Sequence, residues 1–204
     1  MIGAIVLAAG RSRRMGCQKL LLPFGGQTVV AHIVDEILHA AVGEVCVVVG
    51  QDRDRLAEAL AGRKVTIVPN PDPAGDMLSS VRCGVRALPH NCQGILVALG
   101  DQPGITSALL DEMIRAFADG QRGLVVPVHA GKRGHPFLCS ARYRDELLTR
   151  HDDLGLRGLL QAHPDDVLEL PVSTPSVLSD IDSPEDYQRE LAREKKGHIS
   201  TFNK

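Results

Sequence analysis

The chain has 204 residues, 44% of them apolar and 24% charged, which is the expectation for one soluble domain with a substantial core. A net charge of −2 argues against bulk binding to nucleic acid or to a membrane surface, so any anion site must be local. With 3% aromatics and no Trp, a base-stacking surface for single strands is not expected either.

Residues 4–9, Ala-Ile-Val-Leu-Ala-Ala, predict a buried first strand that breaks at Gly10 into a loop carrying Arg11, Arg13, Arg14 and Lys19. Four cations within nine residues behind a strand suit a cradle for a polyanion. Gly10 and Gly16 permit close approach, and exposed backbone N–H groups add donors. Ala8 and Ala9 are small enough for a flat ligand to lie near the backbone. Taken alone, the stretch also fits a solvated basic loop. It has neither the GxxxxGK[ST] nor the GxGxxG spacing.

Leu20-Leu21-Leu22-Pro23 then leads through Gly25-Gly26 to a helix with Thr28 as N-cap and Val30, Ile33, Val34, Ile37 and Leu38 at helical spacing. Glu44 to Val49 predicts a second buried strand, Asp52 caps a short helix, and Val65 to Val68 predicts a third strand closed by the turn cluster PNPDP. Such alternation predicts a parallel sheet covered on both faces, with ligands beyond the carboxyl ends of its strands.

Two further stretches fall at that edge. Gly75 precedes a helix whose first turns carry Asp76, Ser79 and Ser80, where unpaired N–H groups suit a ligand's polar edge; serine caps on a structural helix are the alternative. Gly94 to Leu99 is a fully apolar strand running into Gly100-Asp101-Gln102-Pro103, which sets a carboxylate at its very end. A strand-end Asp is commonly a turn residue, but the basic loop at the same edge favours a cation ligand, since hard cations bound to phosphate use one or two protein carboxylates.

Thr106 caps an amphipathic helix through Phe117, and Leu124 to Val128 reads as a strand. In Gly131-Lys132-Arg133-Gly134-His135-Pro136, His135 reads more readily as a turn residue than as an acceptor contact. Helices are expected over 142–150 and 154–162, with Asp153, Gly155 and Arg157 at their junction, and a strand over 167–172. Ser176 to Asp180 is expected as the last strand, which would point Asp180 and Asp182 the same way. Ser183, Pro184 and Asp186 make a strong helix start. The domain is expected to span 1–192, with 193–204 a polar, frayed tail. Five scattered cysteines without metal spacing, and no membrane-length apolar run, predict a reduced cytoplasmic protein.

A basic loop, separated acids and a helix N-terminus suit nucleotidyl transfer, in which positioning and charge neutralisation carry the reaction. LAAGRSRRMGCQK, LLLPFGG, the Gly75-Asp76-Met77-Leu78-Ser79-Ser80 stretch continuing to Gly84, GDQP, RGHP and DIDSPEDY together resemble the molybdenum cofactor cytidylyltransferase branch of the molybdopterin-guanine-dinucleotide synthase-like nucleotidyltransferases. The resemblance implies a single Rossmann-like three-layer α/β/α domain of nucleotide-diphospho-sugar transferase type. It implies joining of CTP to the phosphate of molybdopterin with release of pyrophosphate, and Mg²⁺ (Mn²⁺ as substitute) as cofactor. A molybdenum hydroxylase would receive the product. It implies Leu7, Ala8, Ala9, Gly10, Arg11, Ser12, Arg14, Lys19, Gly75, Ser79 and Ser80 on the nucleotide, with Lys19, Arg14 and Asp101 as catalytic groups. Asp101 and Asp182 would hold the metal, Asp180 being the second choice of partner. Gly134, His135, Pro136 and Arg157 would face the acceptor. Leu7-Ala8-Ala9-Gly10, where the guanylyl branch more often reads LAGG, favours CTP. Asp76 departs from the small or apolar residue usual there. A guanylyltransferase, a transferase with another phosphate acceptor and a cofactor carrier are the alternatives.

Overall fold

The computed structural model describes residues 1–10, 15–72 and 75–201. The apolar run near the start forms β1 (Ile2–Ala8). A small hairpin, β2 (Pro23–Phe24) with β3 (Gln27–Thr28), leads into α1 (Val29–His39), whose N-cap Thr28 accepts from the Ala31 N–H. Strand and helix then alternate through β4 (Glu44–Val49), α2 (Arg53–Ala59), β5 (Thr66–Pro69), α3 (Met77–Ala87), β6 (Gly94–Leu99) and α4 (Ser107–Ala118). β7 (Leu124–His129) turns into β8 (Lys132–Arg133), and β9 (Phe137–Ser140) follows. α5 (Arg144–Thr149), α6 (Leu156–Ala162), β10 (Val167–Pro171) and α7 (Pro184–Thr201) complete the chain.

The sheet runs β10-β7-β9-β6-β1-β4-β5, with β8 pairing on β7. Pairing is parallel except where β9 inserts antiparallel between β6 and β7, and where β8 meets β7. This is the mostly parallel sheet the alternation predicts, in a three-layer α/β/α arrangement. Alternate strand residues serve opposite faces. Ala4, Val6, Val47 and Leu96 pack with Ile33, Ile37, Leu110 and Met113 of α1 and α4. Ile5, Val48, Ile95 and Val97 pack with Leu78, Val81, Leu147 and Leu159 of α3, α5 and α6. Each fully buried Val, Leu, Ile or Met side chain among these contributes about 1.5–3 kcal/mol by leaving water. No helix among the described residues is long and apolar enough to cross a membrane.

Two stretches differ from the sequence reading. The expected strand over 176–180 is a 3₁₀ turn, Pro175–Leu178, capped by Thr174, whose Oγ1 accepts from the Ser176 N–H at 3.2 Å. Its apolar pattern comes from burying Val177 and Ile181 under a strap across the sheet edge, and the strap joins no ladder. Residues 142–150 divide into a 3₁₀ turn, Ala141–Tyr143, and α5. α7 runs from Pro184 to Thr201. Its start is the expected capping box: the Asp186 N–H donates to Ser183 Oγ at 3.2 Å and the Ser183 N–H donates back to Asp186 Oδ2 at 2.9 Å. Further along, Glu194 lies against Gly25, where an added Cβ would sit 3.1 Å from its Oε1.

α3 reaches β1 closely because Gly84 has no side chain. A Cβ there would lie 2.5 Å from Ile5 Cγ2. Gly84→Ala is therefore expected to destabilise the chain by about 1–3 kcal/mol through overpacking. At this length Tm falls by roughly 2–4 °C per kcal/mol, readable in a thermal melt. An unchanged Tm would mean that α3 moves off β1 without penalty.

Candidate active site

The register of β1 on β6 brings Leu7 level with Leu99, so the segments leaving the two strands run side by side. The Gly100 N–H donates to the Leu7 carbonyl at 3.0 Å, and the Asn70 N–H donates to the Val49 carbonyl at 2.8 Å, which draws the exit of β5 to the same edge. Above this edge lies a cleft of about 260 Å³ lined by Leu7, Ala9, Gly10, Gly75, Asp76, Met77, Ser80, Leu99, Asp101 and Asp180. Its far wall is the N-terminus of α3. Asp76 is the N-cap there, accepting from the Ser79 N–H at 2.8 Å, so the cap is the aspartate and not either serine. Asn70 Nδ2 donates to both Ser79 Oγ (2.7 Å) and Ser80 Oγ (3.0 Å), fixing the two hydroxyls.

Lys19 stands at one end of this edge, in the 3₁₀ turn Lys19–Leu21. Its Nζ lies 2.5 Å from Asp101 Oδ2 and 3.0 Å from Asp182 Oδ1. The side chains of Lys19 and Asp101 are 11% and 19% exposed, that of Asp182 40%. Burial is the largest influence on both partners of the inner pair and opposes charge on each. For Lys19 the two carboxylates prevail, and its pKa lies above the ordinary lysine value. For Asp101 burial, seconded by the nearby Asp180 charge, outweighs Lys19, and its pKa lies above the ordinary aspartate value. Both directions follow from a carboxylate drawn out of water that one ammonium does not fully compensate. Asp180 goes elsewhere: its Oδ1 accepts from Gln102 Nε2 at 2.6 Å. The structure thus separates two acids that an extended strand would have pointed the same way.

A second cleft of about 270 Å³ is lined by Val126, Arg133, Gly134, His135, Phe137, Leu156, Arg157, Leu160 and Gln161. Three of the four residues expected on the acceptor side, Gly134, His135 and Arg157, line it; Pro136 is buried, joined to His135 by a cis peptide bond. Gly134 is required by close approach, since a Cβ there would lie 2.1 Å from the Val177 carbonyl oxygen. His135 lies within electrostatic reach of Asp101 and Asp180 on one side and Arg157 on the other. Burial, reinforced by Arg157, pushes its pKa below the ordinary histidine value against the two acids, which leaves a neutral imidazole at pH 7. His135 in the second cleft is thus coupled by charge to Asp101 and Asp180 in the first.

Of the residues expected on a nucleotide, Leu7, Ala9, Gly10, Gly75 and Ser80 line the first cleft, and Ser79 is tied to Asn70 beside it. Ala8 is 1% exposed and turns into the core, which leaves its backbone alone for a ligand. Arg11, Ser12 and Arg14 lie outside the described residues. Asn70 and Gln102 were missed. Asn70 stood inside a turn cluster, where its place after a strand was the available signal. Gln102 adjoined the strand-end acid but carries no charge to mark it.

The two carboxylates that meet at Lys19 are hard oxygen donors already gathered about a positive centre, a donor set that fits a divalent cation such as Mg²⁺ or Mn²⁺. Among the described residues no three His, Cys, Asp or Glu side chains are grouped so as to hold one ion.

A family model described as MobA-like NTP transferase domain matches residues 4–167. The chain is similar to the molybdenum cofactor cytidylyltransferase of Escherichia coli strain K12, at 28% identity over 91% of this chain and 93% of that one. It is also similar to nicotine blue oxidoreductase of Paenarthrobacter nicotinovorans, at 30% identity over 93% and 96% of the two chains. Among solved structures, Rv0371c of Mycobacterium tuberculosis H37Rv matches with a TM-score of 0.84 and 30% identity, covering 94% of this chain and 97% of that one. The same mycobacterial protein, solved as a complex with manganese, matches with a TM-score of 0.79 and 30% identity over 94% and 98%.

Lys19→Met takes the compensating charge from Asp101, whose pKa, already raised, then rises further. The folded state holds a proton that the unfolded chain has released, so stability is lost as pH rises through the folded value. The deficit relative to wild type is therefore expected to be largest at neutral pH, about 2–3 kcal/mol, and to shrink toward pH ~4. It stays below the roughly 3–5 kcal/mol of a fully buried broken pair because the site is partly exposed. Thermal melts of both proteins across that range check it; a deficit independent of pH would mean that Lys19 acts through packing.

Proposed function

The chain belongs to the MobA-like NTP transferase domain family, and on that premise we propose that it is a molybdenum cofactor cytidylyltransferase, joining CTP to the phosphate of molybdopterin and releasing pyrophosphate. The observation that carries the reading is the meeting of Lys19, Asp101 and Asp182 at the mouth of a cleft bounded by the α3 N-terminus. A cation between acids beside helix N–H groups suits a triphosphate, whose charge must be neutralised while its α-phosphorus is held for attack. In the reaction, an oxygen of the acceptor phosphate forms a bond to the α-phosphorus as the bond from that phosphorus to the bridging α–β oxygen breaks. The electron pair leaves with pyrophosphate, so no covalent protein intermediate is required.

Each group then has a role. Leu7, Ala9 and Gly10 receive the nucleoside, with Ser79 and Ser80, oriented by Asn70, on its base or ribose. Lys19 and the α3 N-terminus meet phosphate oxygens, as do Arg11, Ser12 and Arg14. Asp101 and Asp182 would hold Mg²⁺ or Mn²⁺, which when bound polarises the reacting phosphate and offsets charge on the departing oxygens. Arg157 and Arg133 hold the anionic end of the acceptor, and the apolar floor of Phe137, Leu156 and Leu160 takes its ring system. Neutral His135 orients the acceptor phosphate by a hydrogen bond. Ala9 in the wall of the cleft supports CTP as the donor. Five free cysteines support a reducing compartment, the cytoplasm; on the same reading of the reaction, a molybdenum hydroxylase receives the product.

The redox relative represents another class of activity, and paired acids about a cation favour transfer over hydride chemistry, which has no charge of this kind to neutralise. Pyrophosphate release by the purified protein with Mg²⁺ and molybdenum-loaded molybdopterin, offering CTP, GTP, ATP and UTP separately, tests the proposal. Release with CTP well above the others is expected. Release with GTP would overturn the donor, and silence with all four would overturn the reaction in favour of another acceptor, a carrier or redox role.

Two substitutions check the roles. Asp101→Asn is expected to lower kcat by at least about a hundredfold, the scale of lost electrostatic stabilisation, and to weaken Mn²⁺ binding measured directly by paramagnetic resonance. Arg157→Ala is expected to raise the KM for molybdopterin about tenfold or more while CTP affinity stays within about twofold. A loss of CTP affinity instead would move Arg157 to the donor side.

A further inference from the structure

Gln102 is 1% exposed, at the turn that leaves β6. Its Nε2 donates to Asp180 Oδ1 at 2.6 Å and reaches the Val177 carbonyl at 3.5 Å. That same carbonyl accepts the His135 N–H at 2.9 Å, and the Ile181 N–H donates to the Asp101 carbonyl at 3.0 Å. The strap from residue 175 to 182 is thus pinned to both clefts, and Gln102 is the side chain at its centre. The other arm of the amide, Oε1, is buried with no hydrogen-bond partner among the described residues. An amide with one arm unpaired in the interior is costly, and a methionine of similar volume would fill the same space without that cost. Packing alone therefore does not account for glutamine at this position.

What the amide does is hold a carboxylate. Asp180 lines the first cleft beside Asp101, and its charge also reaches His135 in the second. Asp182, two residues on, makes the contact with Lys19. We propose that Gln102 is a positioning residue for the transfer reaction: its buried amide sets Asp180 between donor and acceptor clefts, apart from the Lys19–Asp101–Asp182 cluster. Asp180 so held orders the strap that carries Val177, and through Val177 the backbone of His135. Acceptor binding depends on this chain of contacts, and nucleotide binding does so far less. The assignment of acceptor and donor sides rests on the transferase reading above; the contacts themselves do not.

The test uses the full chain as wild type, Gln102→Met, Asp180→Ala and the double variant. Hydrogen exchange of the backbone amides over 177–181 reports the strap without any substrate. It is expected to quicken about tenfold or more in Gln102→Met and to be the same in Asp180→Ala as in the double variant. Tm of Gln102→Met is expected to equal or exceed that of wild type. In turnover, Gln102→Met is expected to raise the KM for molybdopterin about tenfold, with CTP affinity within about twofold and no further effect once Asp180 is alanine. Equal exchange in all four proteins overturns the proposal. So does an effect of Gln102→Met that persists in the Asp180→Ala background, or a joint loss of Tm and CTP affinity, which marks a structural glutamine. Should wild-type protein release no pyrophosphate, the transferase reading fails separately, and the exchange comparison decides on Gln102 by itself.

Discussion

Lys19 draws to one point three segments that lie far apart in the chain. Its ammonium sits between Asp101, at the end of β6, and Asp182, just ahead of α7. Two carboxylates this close repel each other, and partial burial strengthens both that repulsion and the cost of desolvation. The arrangement persists because a positive charge lies between them. The edge of the sheet is therefore organised around a cationic position, and the cleft, the strap and the α3 N-terminus are arranged about it.

The scaffold makes that position possible. Parallel pairing of β1 with β4 and β6 delivers three loop exits to one edge, and the buried alternating residues on both faces fix the register. A slip of one residue would turn Ile5 and Val6 to the wrong layers and carry Asp101 away from Lys19. Antiparallel β9 extends the sheet sideways and places Gly134 and His135, just ahead of it, in the lining of the second cleft. Asp180 in the first cleft and His135 in the second lie within electrostatic reach of each other, so the two clefts are linked through charge.

Much of this was legible in the residues. The apolar runs of β1, β4 and β6 announce buried parallel strands, and the capping residues Thr28, Thr106 and Ser183 announce helix starts; all three side chains make their cap hydrogen bonds. The strand-end Asp101 and the basic Lys19 were visible as candidates because charge at the end of a buried strand departs from pattern. Asp76 and the serines show the limit of such reading. Helix spacing places them in the first turn, but which of them caps the helix depends on the approach of Asn70 from β5.

By itself the sequence determined the alternation of strands and helices, the two-faced sheet and the edge where charged residues gather, because periodicity and capping are local properties of the chain. The tertiary structure decided which acid does what. Residues 176–180 read as a short strand, yet Pro175–Leu178 is a 3₁₀ turn, because Val177 and Ile181 are buried, the Val177 carbonyl accepts from the His135 N–H and the Ile181 N–H donates to the Asp101 carbonyl. That turn sends Asp182 to Lys19 and Asp180 to Gln102. The partners are about 80 residues or more distant in sequence, and a two-residue spacing holds no information about a contact that packing alone creates.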